Sequence, residues 1–178
     1  MVRTEAAGLL IGLTILGTCT LPANAAPDSI FNSILPQLKR QTRIPISLPE
    51  RLPNKLRVDP PFLRLTEVSR NSYSIAFYSS SDCTAHACFR GSLEAQPAIA
   101  SRLNWLKRLD AVSLQEGITG YFHPASCGAS CASAGLIWVR QGTVYSINLP
   151  MPPRDEQLQQ SVLVTLANSA LQQTFQPR

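Results

Sequence analysis

The sequence predicts an α+β fold: an antiparallel β-sheet of about five to six strands, built from hairpins, covered by N-terminal, middle and C-terminal helices. Three observations predict it. Two glycine turns, Glu116-Gly117 and Gln141-Gly142, each separate a pair of short apolar-rich runs with strand periodicity. Helical periodicity occurs before, between and after the strands, without the regular βαβ alternation of a parallel sheet, and the helices are expected on one face. Four cysteines fall into two short pairs, Cys83/Cys88 and Cys127/Cys131, which suits a fold with braced loops.

The chain of 178 residues opens with Arg3, an apolar stretch from Ala6 to Leu21, Pro22, and the small-x-small sequence Ala23-Asn24-Ala25. That is the layout of a secretory signal peptide cleaved after Ala25. An uncleaved anchor and a lipoprotein site at Cys19 are the weaker readings, because Thr18 stands where a small glycine or alanine normally precedes a lipidated cysteine. The expected organisation is therefore a signal peptide over 1–25, an N-terminal helical segment over 26–43, one disulfide-stapled α+β domain over 44–174 and a tail over 175–178. Such a domain is large enough for a real core.

Ile30, Phe31, Ile34, Leu35 and Leu38 share one helical face, with Asp28 or Ser29 as cap and Pro36 expected to end or bend the helix. From Arg43 to Pro61 recurring prolines exclude regular helix, and Ile44, Ile46, Leu48 and Leu52 make this packed chain more than free linker. Between residues 39 and 57, Lys39, Arg40, Arg43, Arg51, Lys55 and Arg57 are opposed by Glu50 alone. The formal net charge of +5 is modest, and the segment carries no aromatic side chain for base stacking. Nucleic-acid recognition is a poor fit, and a solvated basic edge is the simpler reading.

Alternation around Arg70-Asn71 predicts a hairpin with Tyr73, Ile75 and Phe77 on one face, and CFRGSLEA a third strand. QPAIASRLNWLKRL predicts a short helix with Ile99, Leu103, Leu106 and Leu109 facing inward. Its Arg102, Lys107 and Arg108 do not gather on one side, which favours docking on the sheet over a membrane-surface helix. Each turn glycine supplies the positive φ of a tight turn. A two-residue turn at Gln141-Gly142 sets Arg140 opposite Thr143, Trp138 opposite Tyr145 and Leu136 opposite Ile147, with the aromatic pair toward the core. After Pro150, Pro152 and Pro153, acids precede Leu158, Val162, Leu166 and Ala170, which predicts the closing helix.

Cys83, Cys88, Cys127 and Cys131 read as disulfides, since exported thiols are oxidised unless occupied. Their C-x4-C and C-x3-C spacings lie outside the commonest zinc-knuckle form, and neither is the C-x-x-C of a thioredoxin-type centre, so no metal site and no cofactor is expected. Four cysteines allow three connectivities. A local bond stabilises by about 2 kcal/mol on the chain-entropy argument and a cross-link between the loops by about 4 kcal/mol. Nearness in sequence still favours Cys83 with Cys88 and Cys127 with Cys131, leaving cross-pairing open.

There are two histidines. His86 lies between one cysteine pair, and His123 precedes the other as a strand-end polar residue. Ser126 and Ser130 flank the second pair but lack the last glycine of a nucleophile elbow. Asp155 and Glu156 complement a helix dipole better than they form a hydrolytic pair. Phosphate-loop, dinucleotide and zincin motifs are absent from the sequence. The sequence thus argues against an enzyme and names no catalytic residue. Tyr121, Phe122 and His123 are the candidate binding surface beside the second disulfide loop.

The Cys83/Cys88 loop, GITGYF, the CGASC loop, IWVRQGTVYSI and LANSAL together resemble exported cyanobacterial proteins of unknown function. The last two blocks are also similar to the end of a bacterial exported domain of unknown function, sometimes attached to lipoprotein-carrier-like folds. The resemblance covers roughly residues 44 to 171 and implies a compact envelope domain. It transfers no catalytic residue.

The function expected from the sequence is a periplasmic or secreted binding module, with an envelope component or a protein as partner, no nucleic acid, and no stable membrane span after signal cleavage. Oligomeric state is open. The alternatives are a lipid or hydrophobic-ligand carrier, which needs an enclosed pocket of several hundred cubic ångströms, and a hydrolase built on His123 with a nearby serine.

Overall fold

The computed structural model describes residues 29–52, 62–83 and 85–176, with the side chain of His86 outside the description. The signal peptide, its cleavage after Ala25, Cys19, Lys55 and Arg57 all lie outside the described residues.

A 3-10 turn, Ser29–Ser33, leads into α1 (Leu35–Gln41). Pro36, expected to end or bend this helix, instead lies in its first turn, where the missing N–H has no intrahelical partner to lose. A short strand β1 (Ile46–Ser47) follows, then β2 (Phe62–Val68), β3 (Tyr73–Tyr78) and β4 (Phe89–Pro97). Next come α2 (Ala100–Leu106), β5 (Asp110–Ser113), β6 (Thr119–His123), and a miniature hairpin of β7 (Ser126–Cys127) and β8 (Cys131–Ala132). Strands β9 (Ala134–Arg140) and β10 (Thr143–Leu149), helix α3 (Glu156–Gln172) and β11 (Thr174–Phe175) complete the order.

The main sheet has seven strands in the order β2-β3-β4-β10-β9-β6-β5, all neighbours antiparallel. The α+β class is as expected, and the sheet is larger than the expected five to six strands. The difference comes from long-range pairing: β10 adds to β4, so the strands of separate hairpins merge into one sheet.

Alternation then assigns the faces. Tyr73, Ile75, Phe77, Leu93, Ala95, Tyr145, Ile147, Leu149, Leu136, Trp138 and Phe122 point to an inner face and are all buried. Phe31 and Leu38, from the N-terminal helical segment, belong to the same core, Phe31 meeting Phe77 edge-on at 6.4 Å. Leu163, Leu166, Ala167, Ala170 and Leu171 bring α3 onto it. The expected stripe of Leu158, Val162, Leu166 and Ala170 is therefore rotated. At about 100° per residue, a strict fourth-residue series drifts by about 40° at each step and leaves the contact face. Leu158 is exposed, and Gln159 takes the buried place.

Helix α2 does not join the others. Leu103, Leu106 and Leu109 dock on Ile137, Val144 and Val139 on the opposite, outer face, so the expectation of helices on one face is corrected. Strand β4 ends beside the Gln141–Gly142 turn and β5 starts at the far end of the sheet, so the connection must travel the length of β10, β9 and β6. Ile99, expected to face inward, is 58% exposed, because it is the cap residue and its backbone is extended.

The proline-flanked segment is held as packed chain over its described part. Strand β1 pairs with β11, which draws Thr174 and Phe175 against Ser47 and Ile46. Two tyrosines reach it from the sheet. The Ser47 N–H donates to the Tyr73 hydroxyl at 3.1 Å, and the Tyr145 hydroxyl donates to the Pro45 carbonyl at 2.9 Å. Ser47 Oγ in turn donates to the Ala170 carbonyl at 2.6 Å, joining the segment to α3. Burial raises the pKa of both phenols, Tyr145 to about 12, so they remain neutral partners.

Tyr73→Phe strands a buried Ser47 donor and should cost about 1–3 kcal/mol, whereas Tyr145→Phe should cost about 1 kcal/mol. Urea denaturation of the two variants measures both. A loss below about 0.5 kcal/mol at Tyr73 would show that the clamp contributes no stability.

Candidate functional site

Strand alternation settles the expected surface of Tyr121, Phe122 and His123 into two directions. Tyr121 and His123 face the outer side of β6, opposite Ile137 and Gly135 of β9. Phe122 is 1% exposed and packs in the inner core, so it is no part of a contact surface. Tyr121 is half-buried against the α2 cluster of Leu106, Ile137 and Val144.

His123 occupies a notch made by a glycine. A Cβ at Gly135 would stand 2.2 Å from His123 Nε2 and 2.6 Å from Asn148 Oδ1. Only the absent side chain lets the imidazole and the β10 amide approach the same point across β9. From there the row continues over the sheet. Asn148 Nδ2 donates to Ser92 Oγ at 3.3 Å, and Ser92 Oγ donates to Glu94 Oε1 at 3.2 Å. Ala76 follows opposite Ser92 on β3.

Braced loops lie at both ends of this row. One, after β3, closes through the Cys83–Cys88 disulfide, with Cα atoms 6.0 Å apart, and the Ser79 N–H donates to the Cys88 carbonyl at 2.8 Å. The other, after His123, is the β7–β8 hairpin, whose paired Cys127 and Cys131 form the second disulfide with Cα atoms 4.1 Å apart. The pairing is the local one that sequence nearness favoured. Gln159 anchors the second loop, its Oε1 accepting the Ala125 N–H at 2.9 Å and its Nε2 donating to the Pro152 carbonyl. Asp155 caps α3 next to it, accepting the Leu158 N–H at 2.9 Å.

Burial lowers the His123 pKa below its ordinary value, and a hydrogen bond with the Pro124 backbone opposes this in part. Near neutral pH the ring is uncharged, one nitrogen a donor and the other an acceptor. The row thus offers imidazole, amide and carboxylate, the last two linked by the buried Ser92 hydroxyl, a set suited to hydrogen-bonding a polar ligand.

The serine–histidine arrangement is not assembled among the described residues: no hydroxyl or carboxylate bonds to the His123 ring, and Ser126 and Ser130 lie exposed on the hairpin. Cys83, Cys88, Cys127 and Cys131 are committed to disulfides. Asn148, Ser92, Glu94 and Gly135 were not singled out in the sequence. The Gln141–Gly142 register could have turned Ser146 and Asn148 outward by alternation, but their β4 neighbours depend on a pairing distant in sequence.

No family model, no curated protein and no solved structure matches the chain, so the site is interpreted from its own residues.

Because the folded pKa of His123 lies below its unfolded value of about 6.5, the unfolded chain binds the extra proton first. This group therefore subtracts stability as pH falls from about 6.5 through the folded value. Melting temperature should rise with pH across that window, and His123→Gln should flatten this part of the profile. Gly135→Ala should push the ring toward solvent and move its NMR-measured pKa up toward 6.5. An unchanged pKa in Gly135→Ala would mean that the notch does not position the ring.

Proposed function

We propose that the chain is an exported, disulfide-braced binding module of the cell envelope that engages an envelope component or another protein through its outer sheet face. The two disulfides fit a disulfide-stabilised extracellular domain, and no helix among the described residues is long and apolar enough to cross a membrane. The reading of residues 1–25 as an export signal supports the same compartment.

The observation that carries the proposal is the unequal treatment of the two faces. The inner face is closed by α1, the β1–β11 ribbon and α3. The outer face receives α2 over β6, β9 and β10, and beside it runs the row from His123 through Asn148 and Ser92 to Glu94. Polar groups on a rigid sheet, bordered by fixed loops, are arranged in advance for a partner, which reduces the ordering cost of binding. Tyr121 and His123 belong to this surface, with Gly135 as its notch.

A carrier would need a hollow between sheet and helix. Leu163, Leu166, Ala167 and Ala170 of α3 occupy that space against Trp138 and Leu136, and nothing in the described interior favours the carrier.

NMR titration with soluble envelope fractions, namely peptidoglycan fragments, lipopolysaccharide and periplasmic extract, tests the proposal. Amide shifts should concentrate at residues 119–123, 135, 146–148 and 92–94, and Asn148→Arg should abolish them. Shifts confined to the solvent side of α3 would contradict the assignment. Mass mapping of the native protein should find both local disulfides and no stoichiometric zinc, and free thiols would remove the bracing on which the surface relies.

A further inference from the structure

Helix α2 places Leu103 and Leu106 on the sheet, and Leu109 follows them there. Its other flank remains outside. Ile99 is 58% exposed and Trp105 41%, and with Ser101 and Arg102 they line one open hollow of about 350 Å³. Among the described residues, Phe62 and Leu158 are the other exposed large hydrophobics, and each is on a different element. The paired exposure on α2 is therefore local. Cations lie near it: Arg102 lines the hollow, and Lys107 and Arg108 follow the helix and are exposed, against Asp110 as the single acid from 99 to 110.

We propose that this ridge docks the domain on an anionic lipid surface, with Trp105 and Ile99 entering the headgroup layer and Arg102, Lys107 and Arg108 adding long-range attraction to the lipid phosphates. Tryptophan combines an apolar ring with a donor N–H and favours the membrane–water boundary, and nearby cations add attraction to acidic headgroups. The cations are spread around the helix end, so they add a diffuse attraction to the acidic layer, while only Trp105 and Ile99 enter it. A diffuse anionic layer requires no fixed array of acidic partners, whereas an acidic protein groove would. The docking is independent of the polar row on the same face.

The chain's two tryptophans make the contact measurable. Trp138 is 2% exposed and stacked on Tyr145 at 5.5 Å, so a change in emission on adding vesicles reports Trp105. Vesicles containing phosphatidylglycerol should shift the emission to the blue and co-sediment the full chain, and raised salt should reverse both. Pure phosphatidylcholine vesicles should do neither. Lys107→Glu with Arg108→Glu should weaken sedimentation at least tenfold, as should Trp105→Ser with Ile99→Ser, with melting temperatures close to the parent because these side chains are exposed. Asn148→Leu, which removes the amide of the polar row without changing the charge, should leave vesicle binding unchanged, which separates this proposal from the one for the polar row. Failure to sediment with phosphatidylglycerol vesicles, or sedimentation unaltered in both double variants, would overturn it. So would binding to polyglutamate with no vesicle-induced emission shift, which would assign the ridge to an acidic protein.

Discussion

Two residues in left-handed backbone, Gln141 at φ 50° and Gly142 at φ 75°, decide which way every side chain of β9 and β10 points. Strand periodicity is two, so a slip of one position would exchange the faces of the slipped strand. With this turn, Arg140 pairs with Thr143 and Trp138 with Tyr145, and the two rings stack inward at 5.5 Å. Gly135 and Asn148 are turned outward by the same register. The core and the polar row are two results of one constraint. Glycine suits the second turn position because L side chains resist that backbone region, whereas Gln141 occupies it at a steric cost.

The rest of the molecule holds that central hairpin in place. Arg140 donates to the Leu171 carbonyl at 2.7 Å and pairs with Glu116 at 2.8 Å, so the end of α3, the β9–β10 turn and the β5–β6 turn meet at one guanidinium. At the opposite end of the sheet the disulfides and Gln159 restrain the loops. The burdens differ in kind. Packing of aromatic and aliphatic groups holds the inner face, while short covalent rings and buried amides hold loops too polar to form a core of their own. The outer face needs neither a lid nor a large cavity to remain organised.

Much of the fold was legible because its signals are local. Alternation exposed the hairpins, the Gln141-Gly142 turn set the β9–β10 register, and Asp155 marked the start of α3. Three features were not legible for definable reasons. Pro36 carries the same stereochemistry at a helix start as beyond a helix end, and only the preceding 3-10 turn distinguishes them. The side of the sheet taken by α2 depends on the β4–β10 pairing, which joins segments some fifty residues apart in sequence. Of the proposed surface, half was legible: Tyr121 and His123 could be nominated from their place beside CGASC and do face the same side, but three consecutive residues of a strand cannot share one face, which sent Phe122 inward. Asn148 and Ser92 become neighbours only in the assembled sheet.

The account therefore stands on the outer sheet face being the contacting one. A photo-crosslinking residue placed in turn at position 121, on that face, and at position 161, on the exposed side of α3, compares the two sides of the same folded domain in its native compartment. A discrete adduct is predicted from position 121 and none from 161. An adduct from 161 alone would contradict the outer-face contact and move the contact surface to α3.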